Sequence, residues 1–253
     1  MLYMNKLRIS AVSYLNTKPF IRGMESSGFV NQVDLSLDIP SVCAAKLLDG
    51  RVDVGLVPVA IIPELREHHI ITDYCIGADG PVKSVLLYSN VPLTEIQSVL
   101  LDNQSRTSVA LVKILAKHLW NIAPEWTLAT DGYENSIAGT RAGVVIGDRT
   151  FRLKDRFAYS YDLAECWKEL TGLPFVFACW VSNKPIDVGL EADFNKALKM
   201  GVSQAADVAK QYETDFPAGS HLEEYLCHNL SYTLDTRKRQ GLTQFLGLLS
   251  TTK

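Results

Sequence analysis

The first residues in the chain suited to chemistry lie in Val12-Ser13-Tyr14-Leu15-Asn16-Thr17-Lys18-Pro19-Phe20. Ser13, Tyr14, Asn16 and Thr17 gather hydroxyl and amide groups in one short span. They follow an alternating apolar run, Leu7 to Val12, that is predicted as a first strand. Pro19 suits the first turn of a helix. The span therefore lies where a strand gives way to a helix, and in an open α/β sheet ligands bind at the carboxyl ends of strands. Taken alone, the same residues also make a capped loop around a buried tyrosine. Asn16 can orient a substrate group, but an amide has no useful proton affinity near neutral pH and cannot act as a base.

A second group follows the predicted strand Ser98 to Leu101 as Asp102-Asn103-Gln104-Ser105-Arg106-Thr107-Ser108. It precedes a helix whose Val109, Val112, Leu115, Ala116 and Leu119 form one stripe. Free N–H groups at that helix start, beside Ser105, Arg106, Thr107 and Ser108, would cradle a carboxylate or phosphate. The plainer alternative is a Ser/Thr cap with Arg106 in a surface ion pair. The position of Arg106 inside the cap favours the anion site. A third group ends the strand Ala142 to Ile146 with Gly147-Asp148. Gly147 marks close backbone approach; Asp148 reads as a cap and, in reserve, as a general base. This is not G-x-G-x-x-G, so no dinucleotide is implied.

Strands are also predicted at 33–39, 51–60, 82–89 and 175–181, and helices at 41–48, 164–170, 192–212, 221–230 and 235–249. The opening β-α-β-α-β order predicts a parallel α/β sheet with right-handed crossovers. No linker rich in Gly, Ser or Pro appears, so two lobes would be joined along strands, near Tyr88-Ser89 and Phe177–Trp180. Lobe 1 is then expected to hold residues 1–88 plus 178–253, and lobe 2 residues 89–177. A cleft between them would face Ser13–Thr17, Pro58, Ser84, Ser105–Ser108 and Gly147-Asp148. Trp180 belongs either to the core or to a ligand-stacking wall.

Composition narrows the function classes. The 253 residues are 47% apolar and 21% charged, as in an ordinary globular protein. A net charge of −3 argues against a nucleic-acid or anionic-membrane binder, and Arg237-Lys238-Arg239 reads as a solvated helix face. No apolar run reaches the roughly 20 residues of a membrane span. Met1 to Lys6 do not read as a secretory signal, so a cytoplasmic location is expected. Cys43, Cys75, Cys166, Cys179 and Cys227 are scattered among apolar neighbours and predict buried thiols, without disulfide or zinc. His68-His69 has no ligand spacing and reads as a surface loop. Neither a metal nor a cofactor is expected.

The phrases from Val12 to Phe20, around Ser84, Ser105-Arg106-Thr107-Ser108, Ile146-Gly147-Asp148 and Thr171-Gly172-Leu173-Pro174-Phe175 occur here in one order. Together they resemble the menaquinone-biosynthesis family of the futalosine route, in its chorismate dehydratase branch. The resemblance runs through essentially the whole chain, with Ser-Tyr-Leu-Asn-Thr-x-Pro and Ser-Arg-Thr-Ser as its specific parts. Ala164 departs from the Gly expected after Asp162-Leu163. The resemblance implies a two-lobed, type II periplasmic-binding-protein-like α/β fold. It also implies dehydration of chorismate to 3-[(1-carboxyvinyl)oxy]benzoate, with chorismate as the small-molecule partner. On that basis Asn16 and, in reserve, Asp148 are the catalytic candidates. Ser13, Tyr14, Thr17, Ser84, Ser105, Arg106, Thr107, Ser108 and Gly147 are the substrate-binding candidates. The rival readings are the sister dihydroxynaphthoate synthase branch and a non-enzymatic anion-binding protein of the same fold.

Overall fold

Two five-stranded sheets organise the protein, each carrying one half of the candidate residues. A computed structural model describes residues 6–251; the Met1–Asn5 part of the N-terminal signal reading lies outside the described residues. In chain order the elements begin with β1 (Leu7–Val12), α1 (Lys18–Ser26), β2 (Val33–Asp38), α2 (Pro40–Leu48), β3 (Val54–Pro58) and β4 (His69–Ala78). There follow β5 (Val85–Ser89), β6 (Ser98–Leu101), α3 (Arg106–Leu115), β7 (Glu125–Leu128), β8 (Arg141–Ile146) and β9 (Tyr159–Asp162). The chain closes with α4 (Leu163–Thr171), β10 (Phe175–Ser182), α5 (Val188–Val202), α6 (Ala205–Tyr212), α7 (Leu222–Glu224) and α8 (Thr236–Thr251).

The first sheet has the order β2-β1-β3-β10-β4 and the second β7-β6-β8-β5-β9. Both are mixed, which corrects the expectation of a parallel sheet. β1 runs parallel to β2 and β3, but β10 runs antiparallel to β3 and β4. Likewise β6 runs parallel to β7 and β8, while β5 runs antiparallel to β8 and β9. The crossings between sheets also differ from expectation. β5 pairs in the second sheet, so the chain changes sheet across 79–84 instead of at Tyr88-Ser89. It returns through α4, and β10 already pairs with β4 from Phe175. Both strands are buried along their whole length, and such runs carry no face alternation to say which sheet they join.

Buried apolar side chains of both sheets merge into one cluster, and a smaller one lies under β5 and β8. Trp180 belongs to that core: it is fully buried, with edge contacts to Phe20 and Phe194. α1, which leads out of the first candidate loop, is clamped against α5 through Gly23 and Gly201. A Cβ on Gly201 would strike the Pro19 carbonyl, and one on Gly23 the Ala197 carbonyl. Four of the five cysteines are buried. Cys227 is exposed, on the wide turn Tyr225–Asn229 that continues α7. His69 opens β4 and pairs with Glu67 at 2.8 Å. No helix among the described residues is long and apolar enough to cross a membrane.

Candidate active site

Three strand ends build the site. β1 ends at Val12, and a single 3-10 turn, Leu15–Thr17, carries Asn16 before α1 begins with Pro19 in its first turn. β6 ends at Leu101 and leads through Asp102–Ser105 into α3, where Ser105 is the cap and its Oγ accepts the Ser108 N–H at 3.2 Å. β8 ends at Ile146, and Gly147 extends its pairing by donating its N–H to the Ser84 carbonyl at 2.8 Å. That bond sets Ser84, just before β5, beside Gly147.

These ends close on a cavity lined by Val12, Tyr14, Asn16, Ser84, Ser105, Ser108 and Gly147, with Pro40, Pro58, Ile76, Val82, Val85, Ile146, Phe177 and Ala178 as its apolar walls. The lining contains neutral hydrogen-bonding groups and no charged side chain. Its volume is about 50 Å³, room for roughly one or two waters. Small-molecule sites usually hold about 300 Å³ or more, so the two sheets stand closed over the site.

Polar ties hold that closure. Tyr14 donates its hydroxyl to Gln104 Oε1, and the Leu15 N–H meets both oxygens of Asp148 at 3.1 Å. The Ala60 N–H donates to Thr107 Oγ1 at 3.2 Å. Gly147 has a φ of +65°, and a Cβ there would lie 2.7 Å from the Tyr14 ring. Glycine is needed for both reasons, the backbone conformation and the seat of the tyrosine ring.

Beneath the second and third strand ends lies a buried charge network that sequence reading treats only as loop. Asp102 has no exposed side-chain surface; it accepts the Gln104 N–H at 2.9 Å, the Tyr133 hydroxyl at 2.9 Å and the Ile146 N–H at 3.3 Å. It pairs with Arg149, which also reaches Glu134 at 2.9 Å. Burial raises the Asp102 pKa, while the Arg149 guanidinium and these hydrogen bonds oppose the rise. One carboxylate thus ties the loop before α3 to the end of β8.

The predicted residues divide accordingly. Tyr14, Asn16, Ser84, Ser105, Ser108 and Gly147 meet at the cavity. Ser13, Thr17, Arg106, Thr107 and Asp148 are not in its lining. Ser13 uses its N–H on the Asp38 carbonyl, and Thr17 is fully buried with its hydroxyl donated to Asn16 Oδ1 at 3.2 Å. Arg106 pairs with Glu64 at 2.6 Å on the surface, so the plain ion-pair alternative describes it. Thr107 faces the first sheet's Ala60 instead of a ligand. Asp148 turns to the Leu15 backbone; burial raises its pKa to about 6, against the Leu15 hydrogen bonds and the nearby Lys18 and Arg152.

Tyr225 is absent from the sequence reading. It is 1% exposed, and its hydroxyl donates to Ser84 Oγ at 2.9 Å. The signal in sequence was a helix with apolar spacing, and nothing local ties that helix to Ser84, 141 positions away. Burial raises the pKa of both Tyr14 and Tyr225, so each phenol is a hydrogen-bond donor at neutral pH.

Comparison with known proteins agrees with this architecture. The chain is 26% identical over 252 residues to the chorismate dehydratase of Thermus thermophilus, spanning 92% of this chain and 91% of that protein. It is 26% identical over 245 residues to the chorismate dehydratase of Campylobacter jejuni, spanning 93% and 94%. A Candida albicans protein with the generic periplasmic-binding-protein fold superposes with a TM-score of 0.70 at 9% identity, covering 98% of this chain and 91% of that one. The two sheets with their helices are thus the two halves of a periplasmic-binding-protein fold. The family model described as menaquinone biosynthesis matches residues 7–251, so the chain belongs to the menaquinone-biosynthesis family.

Proposed function

We propose that the protein is a chorismate dehydratase, a carbon–oxygen lyase that converts chorismate to 3-[(1-carboxyvinyl)oxy]benzoate and water. The observation that carries this reading is the cavity lining: neutral donors from both sheets, set in apolar walls, with no protein base among them. Chorismate brings two carboxylates and needs little more than positioning, because loss of water makes its ring aromatic. The first turn of α3 supplies unpaired N–H groups and the positive end of a helix dipole for one carboxylate. Ser105 and Ser108 stand there with their hydroxyls 3.0 Å apart. Of their two hydroxyl hydrogens, at most one is used between them, which leaves one for the ligand.

In the reaction a proton leaves the ring carbon that bears the enolpyruvyl ether. The C–H electron pair becomes a ring double bond as the adjacent C–O bond breaks, and the departing hydroxyl takes up a proton to leave as water. Asn16 holds the leaving hydroxyl or the ring in place; its amide cannot take the proton. Asp148 is engaged with the Leu15 N–H and lies outside the lining, so it serves as a staple of the turn. The proton acceptor is then a carboxylate of the substrate itself, held close to the ring C–H. Exclusion of water from the closed cleft strengthens each of these hydrogen bonds.

Purified protein incubated with chorismate should produce an aromatic absorbance and a product lighter by one water. Chorismate recovered intact would overturn the reading.

A further inference from the structure

One buried polar group at the cleft, the Tyr225 hydroxyl, takes no part in the chemistry above. Its ring is fixed by an edge contact with Phe151 at 5.1 Å, and Phe151 packs in turn on Phe216. Its hydroxyl reaches Ser84 Oγ at 2.9 Å, and the side chain of Asn16 interacts with the same oxygen. Tyr225 therefore joins two candidate site residues, Asn16 on the β1 side and Ser84 before β5.

The polarity of this chain of hydrogen bonds follows from acidity. A phenol, with an ordinary pKa near 10, is a far better donor than an aliphatic hydroxyl. Tyr225 thus gives its only hydrogen to Ser84, whose oxygen accepts it. The hydrogen of Ser84 must then point elsewhere, and among the described residues no other side-chain hydrogen bond of Ser84 Oγ exists. The open direction is the cavity that Ser84 lines.

We propose that Tyr225 is a positioning residue that fixes Ser84 as a hydrogen-bond donor toward a bound carboxylate. This rests on the reading of the cavity as the chorismate site and extends it to a residue outside the opening phrases. Without the phenol, the Ser84 hydroxyl is free to turn a lone pair toward the anion, which repels it. With the phenol in place, the donor orientation exists before the ligand arrives.

The test is a double-mutant cycle on the full chain, with Tyr225→Phe, Ser84→Ala and the pair together. It is read on the dissociation constant of isophthalate, a non-reacting aromatic dicarboxylate, by calorimetry. Tyr225→Phe should weaken binding about fivefold to tenfold when Ser84 is present and less than about twofold in the Ser84→Ala background, the size of one hydrogen bond to a charged group. Equal losses in both backgrounds would mean that Tyr225 acts through general packing, and the proposal would fall. Fluorotyrosine at position 225 keeps the ring and strengthens the donor, so it should tighten isophthalate binding; unchanged or weaker binding would also overturn the proposal. Turnover is measured separately. Coupled binding with chorismate left intact would keep the positioning role and remove the dehydratase reading, whereas additive losses with normal turnover would do the reverse.

Discussion

Asn16 and Asp148 lie close together in the site and are assigned opposite duties. Asn16 lines the cavity with its Oδ1 held by Thr17, so its amide is set in one orientation. Asn16→Ala should lower kcat about 100-fold, the usual loss for one preorganised donor, with a smaller change in KM. Initial rates over a range of chorismate concentrations check this, and an unchanged kcat would remove Asn16 from the chemistry. Asp148 has a native pKa of about 6 because burial outweighs its hydrogen bonds, against about 3.9 when unfolded. Between those values the folded state binds more protons, so stability falls as pH rises through the window, and the loss is complete above it. Asp148→Asn keeps an acceptor for the Leu15 N–H and removes the desolvated charge. It should raise the melting temperature at pH 7 and flatten the slope between about pH 4 and 6, as thermal melts across pH would show.

At the scale of elements, two close backbone approaches set the site. Gly147 joins β8 to its turn under the Tyr14 ring, in a left-handed conformation. Gly147→Ala should destabilise the protein by about 1–3 kcal/mol and displace Tyr14 from Gln104, raising KM for chorismate. Denaturant titration and steady-state kinetics measure both. Gly201, far from the cavity, lets α5 lie against the first turn of α1. Gly201→Ala forces backbone apart, so it should lower the melting temperature more than Gly147→Ala does. Equal melting temperatures for the two would show that the α1–α5 contact yields easily.

The elements also show what sequence pattern can and cannot carry. The strand ends at Val12, Leu101 and Ile146 were legible because each apolar run stops at polar or glycine residues. β4 was not, since His69 to Ala78 mixes polar and apolar residues, and its edges are decided by β10 and by the bridge from Tyr74 to Thr233. The long helix expected over 192–212 is two, α5 and α6, with the break at Ser203-Gln204. Apolar spacing continues through that break because both helices pack on one core.

For the whole molecule, closure is the property that matters. A cavity of about 50 Å³ admits no substrate of chorismate's size, so the two halves must part and close again in each turnover. The Leu15 and Ala60 N–H groups donate across the divide, to Asp148 and Thr107. Hydrogen exchange at these two amides should slow when isophthalate or chorismate is bound, relative to the free protein, while exchange in the middle of β3 stays constant. Exchange unaffected by ligand would mean that the substrate enters without separation of the sheets.

The sequence alone determined where strands meet helices, which small polar residues stand at those junctions, and the family phrases that they form. These are local properties, written in periodicity, capping and turn chemistry. The tertiary structure decided which of those residues share a cavity. It sent Arg106 to Glu64, Thr107 to Ala60 and Asp148 to Leu15, and it brought Tyr225 to Ser84 from far along the chain. A hydroxyl's partner is set by the direction of its side chain and by whatever element packs opposite, and neither is encoded within a turn or two of the residue itself. The opening Ser-Tyr-Leu-Asn-Thr phrase thus resolves into two cavity-lining residues, Tyr14 and Asn16, held by neighbours that face inward to the protein.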